Sequence, residues 1–158
     1  MTMHYTTHKS PIGPLLVAAD DDGLRHLDLP GRHSAIASDW RLDSVALRGT
    51  LDQLDAYFAG ELKNFDVALA PRGSVFQRRV WSALGEVRYG ETESYGGIAR
   101  AVGSPRASRA VGAANGRNPI AIIIPCHRIV SADGSLTGYG GGLPTKRRLL
   151  ELERSHRA

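Results

Sequence analysis

The chain has 158 residues, of which 42% are hydrophobic and 23% charged, enough to bury a core as one large domain or two small ones. The longest aliphatic run, residues 120–124, is far too short to span a bilayer, the N-terminus shows no basic-then-apolar leader pattern, and a single cysteine allows no internal disulfide; the expectation is a cytoplasmic protein with no membrane partner. Charge is uneven. Residues 1–71 carry 6 Lys and Arg against 10 Asp and Glu, a net of −4, and residues 72–158 carry 14 against 6, a net of +8. A strongly basic second part points to a polyanionic partner, with a merely solvated basic surface as the alternative.

In chain order, "HYTTH" and "LLVAAD" read as strands joined by the turn "KSPIGP", and "LRHLDL" follows the turn "DDDG" as a third strand. Leu47, Leu51, Leu54 and Phe58 recur at helical spacing within residues 43–58, with Gly60 as the stop. "FDVALA" alternates like a short strand. "APRG", residues 70–73, marks a boundary, because charge balance changes there and Pro and Gly break regular structure. The domains expected are 1–71 and 72–158. Beyond the boundary, Ser74 and Gln77 fit a capping box, and Phe76, Val80, Trp81, Leu84 and Val87 mark an amphipathic helix, with Trp81 in the core. Ser94 caps a short helix ended by Gly103. Ser104 and Pro105 suit the N-cap and N1 of the next helix, with Ala107, Ala110, Val111 and Ala114 inward. Two short helices joined by "GSP" form a helix-turn-helix candidate. A last helix carries Leu149, Leu150 and Leu152. The fold class expected is α+β: a small antiparallel sheet plus one helix, then a mostly α part with winged helix-turn-helix character.

The lone thiol, Cys126, lies in "IAIIIPCHRIV" just after the aliphatic run, with Pro125 before it and His127 and Arg128 after it. A thiol becomes a strong nucleophile only as thiolate, which needs a nearby base or cation. Adjacency in sequence does not supply that, and an inert buried cysteine beside a surface histidine is the competing reading. Pro125 fixes the backbone before the thiol, and Asn118-Pro119 is a turn signal before the run. Glu153 lies four residues after Leu149 and three after Leu150, on or beside an apolar stripe. It is either the orienting acid of a Cys-His-Glu chain or a solvated residue at a frayed helix end.

These residues carry a resemblance. "IPCHRIV" is similar to the active-site motif of the O6-alkylguanine-DNA alkyltransferases, also called methylated-DNA–protein-cysteine methyltransferases. "FQRRVWSAL", "YGETESYGGIA", "RAVGAANGRNP", "TGYGGG" and "KRRLLELE" resemble further blocks of that family, in family order, and cover residues 75–153 densely. "SPIGPL" and "LDQLDAYFAGEL" resemble its first domain more loosely. The resemblance implies that Cys126 accepts the alkyl group, His127 acts as base through a water molecule, Glu153 orients His127, and Asn118 braces the turn. It implies that Tyr95 donates to the guanine ring, Tyr139 walls the base pocket, Cys126 and Ile129 read the guanine amino group with backbone atoms, and the Gly140 N–H faces O6. Arg109, on the second helix of the helix-turn-helix, becomes the finger that fills the gap left by a flipped nucleotide.

The methyl of O6-methylguanine sits on a base-pairing edge, so the nucleotide must leave the stack before a cysteine can reach it. A slim helix with Ala107, Ala110, Gly112, Ala113 and Ala114 suits close approach to a groove, and the resemblance implies the minor groove of double-stranded DNA. The expected function is direct reversal of DNA alkylation by irreversible, stoichiometric transfer from O6-alkylguanine, and as a further expectation O4-alkylthymine, to Cys126 in a monomeric protein. A Cys-His-Glu thiol hydrolase and a non-catalytic alkylated-DNA-binding protein are the alternatives. No cofactor is expected. His4, His8, His26 and His33 make no metal site by themselves, so no metal is expected. Some relatives carry serine where Gly140 stands here, and a glycine is expected to open the pocket to alkyl groups bulkier than methyl.

Overall fold

The computed structural model describes residues 1–157. Three strands, β1 (His4–His8), β2 (Leu15–Asp20) and β3 (Gly23–Asp28), form an antiparallel meander. The β1–β2 turn is closed by Gly13 N–H donating to the Ser10 carbonyl (3.0 Å), with Gly13 at φ +110°, a conformation glycine adopts without steric penalty. A two-residue strand, β4 (Arg41–Leu42), pairs parallel to β1 on the far edge, giving the order β3-β2-β1-β4. It was not expected, since two residues carry no periodicity. Leu15, Leu16, Val17 and Ala18 of β2 are all buried, so this central strand is covered on both faces.

Helix α1 (Arg48–Phe58) starts five residues later than residue 43, where the stripe-bearing segment begins; turns bonded from Val45 and Ser44 carbonyls precede it. It buries Leu51, Leu54 and Tyr57. "FDVALA" does not form a strand. It touches the sheet edge at one bridge, where Leu24 N–H donates to Ala68 O and Ala70 N–H to Leu24 O.

Helix α2 (Val75–Gly85) starts on the capping box: the Ser74 hydroxyl accepts from Gln77 N–H (3.1 Å) and Gln77 Oε1 from Ser74 N–H (2.9 Å). Its face of Val80, Trp81 and Leu84 is buried. Helix α3 (Tyr95–Ala101) is capped by Ser94, and Gly103 follows at φ +77°. Helix α4 (Ser108–Gly116) begins after, not at, Ser104-Pro105. A turn in which Ala107 N–H donates to Ser104 O (2.8 Å) takes up that proline, and Ala107 is the N-cap. Val111 and Ala114 face inward, whereas Ala110 is exposed, so the inner side is narrower than expected. Strands β5 (Glu93–Ser94) and β6 (Ile129–Val130) pair parallel beside the helices, and α5 (Leu143–Ser155) closes the chain with Leu149, Leu150 and Glu153 buried. The sheet and the helices share one apolar core running from Leu15 and Leu54 to Ile98, Ile120 and Leu149. No helix among the described residues is long and apolar enough to cross a membrane.

Candidate active site

The segment that delivers the sulfur is held from both ends. Residues 119–121 dock on β3: Leu27 N–H donates to Pro119 O and Ala121 N–H to Leu27 O, each at 3.0 Å. The Asn118 side chain then clamps the run across itself, accepting from Ile120 N–H (3.0 Å) and donating to Ile124 O (2.8 Å). Within the clamp the chain folds tightly rather than extending. Ile123 N–H donates to Ala121 O (2.8 Å) around Ile122 at φ +71°, an uncommon conformation for a β-branched residue. Cys126 N–H donates to Ile124 O (2.8 Å) around Pro125 at φ −81°, ψ 63°, an inverse γ-turn that proline's ring favours. Buried Ile120, Ile122 and Ile124 anchor these turns, and Cys126 opens a single 3₁₀ turn, Cys126–Arg128.

Behind the sulfur lies a buried ion cluster. His127 and Glu153 are both fully buried, and His127 Nε2 meets Glu153 Oε2 at 2.6 Å. Arg128 grips the same carboxylate through Nε (2.8 Å to Oε1) and Nη2 (3.1 Å to Oε2) and donates through Nη1 to Val87 O (2.7 Å). Gly90 N–H (3.3 Å to Oε1) and the Tyr57 hydroxyl (2.7 Å to Oε2) complete the shell. Burial works against the Glu153 charge, but hydrogen bonds and charges from His127 and Arg128 outweigh it and hold the carboxyl well below the usual range. An ionised acceptor requires the His127 proton on Nε2, leaving Nδ1 as a lone pair. That Nδ1 is buried with no protein partner, which suits a bridging water toward the sulfur. Burial lowers the His127 pKa, with Glu153 opposing, and raises that of Cys126, with the Asn118 amide, the Tyr139 hydroxyl and Lys146 opposing. The resting pair is therefore thiol and neutral imidazole.

In front of the sulfur opens a cleft of about 550 Å³, whose lining includes Cys126, Tyr95, Asn118, Tyr139 and Gly140. The Tyr95 hydroxyl is 2.7 Å from Thr137 Oγ1, tying α3 to the glycine-rich loop. The Tyr139 hydroxyl faces the Cys126 thiol and favours its ionised form. The space beside Gly140 is filled from the sheet side: a Cβ there would stand 3.0 Å from Arg32 Cζ and Nε. Likewise a Cβ on Gly141 would stand 2.6 Å from Leu29 Cδ1. The turn "LPGR", closed by Arg32 N–H to Leu29 O (3.0 Å) with Gly31 at φ +78°, thus forms the outer lip. The glycine at 140 makes room for an arginine rather than leaving the pocket open. Ile129 is fully buried and does not line the cleft; its carbonyl accepts from the buried Lys146 ammonium, and its N–H donates to Cys126 O.

The outer face of α4 is different in kind. Arg109, Ala110 and Ala113 are exposed and Ala107 is half-buried. Gly112 lies against Tyr95, where a Cβ would make an ordinary 3.7 Å contact with the ring. Among the described residues Arg109 has neither a hydrogen bond nor an ion pair. No group of three or more His, Cys, Asp or Glu among the described residues is placed to hold a metal.

Tyr57, Lys146, Asn115 and Thr137 belong to this site without standing out in the sequence, and Arg128, noted there only as a neighbour of the thiol, binds Glu153. Lys146 sits three and four residues before Leu149 and Leu150, mirroring the spacing that flagged Glu153. Asn115 follows Ala114 on the buried face of α4 and donates to Cys126 O (3.4 Å). Tyr57 is 96 residues from its carboxylate partner, and no local pattern signals such a contact.

The chain is similar to known proteins along nearly its whole length. The 6-O-methylguanine DNA methyltransferase family matches in two parts, its ribonuclease-like domain over residues 3–71 and its DNA binding domain over residues 75–155. The methylated-DNA–protein-cysteine methyltransferase of Methanosarcina acetivorans is 54% identical over 155 residues, covering 97% of this chain and 99% of its own. The protein of that name from Mycobacterium bovis is 56% identical over 154 residues, covering 97% and 93%. A crystal structure of Mycobacterium tuberculosis OGT in complex with DNA superposes with a TM-score of 0.92 at 56% identity, over 97% of this chain and 94% of that one. Matched in order along nearly its whole length, the chain belongs to the 6-O-methylguanine DNA methyltransferase family.

Proposed function

We propose that the protein repairs alkylated DNA by direct reversal, transferring the alkyl group of O6-alkylguanine irreversibly to Cys126. The observation that carries this reading is a lone thiol at the wall of a nucleobase-sized cleft, with a buried His127–Glu153 pair behind it and an unpaired arginine on the slim outer face of α4. Residues 72–158 act as the DNA-binding and acceptor domain, and residues 1–71 as a scaffold that also supplies the pocket lip. The protein acts as a monomer in the cytoplasm.

The arginine-rich part grips phosphates of the duplex, α4 enters the minor groove, and Arg109 fills the stack as the damaged nucleotide swings into the cleft. His127 Nδ1, through water, takes the thiol proton, and Glu153 stabilises the imidazolium that results. The thiolate attacks the methyl carbon: the S–C bond forms as C–O6 breaks, and the electron pair passes to O6 and the guanine ring. The Tyr95 hydroxyl and the Gly140 N–H stabilise that charge, and the proton taken from the thiol restores neutral guanine. The thioether product has no labile bond for water to cleave, so each molecule acts once.

Titrating a duplex containing O6-methylguanine against the protein tests this. Repaired duplex should rise linearly and stop at one per protein. Continued turnover would favour a Cys-His-Glu hydrolase, and retention of unchanged duplex a non-catalytic binder; either outcome rejects the proposal.

A further inference from the structure

The carboxylate of Glu153 is shared between the two halves of the molecule. On Oε2 it meets His127 Nε2 at 2.6 Å and also the Tyr57 hydroxyl at 2.7 Å. Tyr57 belongs to α1, is fully buried, and is locked by ring contacts to Phe58 (5.3 Å), Phe65 (5.4 Å) and Tyr89 (6.3 Å). Burial and the adjacent Glu153 charge raise its pKa far above ordinary tyrosine, so it remains a proton donor to an ionised acceptor.

We propose that Tyr57 is a positioning residue for alkyl transfer, by which the first domain sets how much of the Glu153 charge His127 receives. This rests on the Cys126–His127–Glu153 reading above. A donor on Oε2 draws off part of the carboxylate's pull on the imidazole. With Tyr57 in place, His127 is oriented yet stays an unprotonated base with its Nδ1 lone pair toward the thiol. Without the hydroxyl, the same carboxylate favours imidazolium more strongly. The other titratable groups facing this cluster are Arg128 on the 3₁₀ turn, Tyr89 after α2, Lys146 on α5, and Cys126 and Tyr139 on the cleft side. Arg128 and Lys146 both oppose a charge on His127, in the same direction as Tyr57. None of them lies on α1, so a change at Tyr57 leaves their own elements intact.

The test is the pH profile of single-turnover methyl transfer from an O6-methylguanine duplex, for the full-length wild type, Tyr57→Phe and Glu153→Gln. Phenylalanine keeps the ring packing and deletes only the donor. Tyr57→Phe should move the acid limb up by roughly half a pH unit, and the His127 imidazole titration followed by NMR should move the same way. Profiles that superimpose after Tyr57→Phe, with only thermal stability reduced, overturn the proposal. A wild type that transfers no methyl, or Glu153→Gln at wild-type rate, instead rejects the relay on which it rests.

Discussion

The two faces of the second domain make opposite use of charge. Behind Cys126, a carboxylate, a guanidinium and an imidazole are almost sealed from water, and Glu153 accepts from four different residues. On the outer face of α4, by contrast, Arg109 stands with no protein partner among alanines. Burying charge is costly unless every group is paired, so the first arrangement sacrifices adaptability for fixed orientation. The second keeps its cation solvated and free for a ligand. The same residue types thus build a sealed ion cluster in one place and a solvated basic face in the other.

The largest expected effect separates the two outright. Cys126→Ser should reduce methyl transfer to background while duplex affinity stays within a few-fold, checked by a transfer assay and a binding titration. Glu153→Gln comes next. It strands Arg128 beside a neutral amide, which should cost roughly 3–5 kcal/mol of stability by denaturant titration, and it should slow transfer about 10²-fold or more in single turnover.

The same cluster sets an acid sensitivity. Glu153 has its pKa depressed by folding, so its contribution is present above the ordinary unfolded carboxylate range and is lost as pH falls through the folded value. His127, also depressed, is neutral when folded and resists protonation, so stability begins to fall once pH drops below its unfolded value of about 6.5. Thermal melting across this range should show the decline, and Glu153→Gln should flatten its lower part.

Arg109→Ala should leave stability and reaction with free O6-alkylguanine unchanged but slow the duplex reaction roughly ten- to hundredfold, because unstacking alone costs a few kcal/mol. Equal losses on both substrates would remove the distinction between the two faces. The smallest effect belongs to the lip. Arg32→Ala should raise the ratio of benzyl to methyl transfer by a few-fold, since its guanidinium fills the space beside Gly140, whereas Arg32→Met, which keeps the bulk, should not.

Local chemistry was legible where it depends on neighbours in the chain. The Ser74–Gln77 capping box, the Ser94 cap and the Gly103 stop stand where the sequence puts them, because each is closed by residues three or four apart. Ser104-Pro105 misleads for the same reason: a good N-cap pair closes a turn of its own, from Ala107 N–H to Ser104 O, and leaves Ala107 as the N-cap of α4. The stripe of α5 points to Glu153, and the same spacing from Leu149 and Leu150 points to Lys146. Tyr57 and Arg32 could not be found this way. They reach the site only because the sheet domain docks on the other, through contacts such as Leu27 to Pro119 and Leu29 to Gly141.

The most direct measurement is peptide-level mass spectrometry after reaction with a duplex carrying an isotopically labelled O6-methylguanine. Direct reversal predicts one labelled methyl per protein, all of it on the sulfur of Cys126, with unmodified guanine left in the DNA. Loss of the label from DNA with Cys126 unmodified, or label on any other residue, would contradict it.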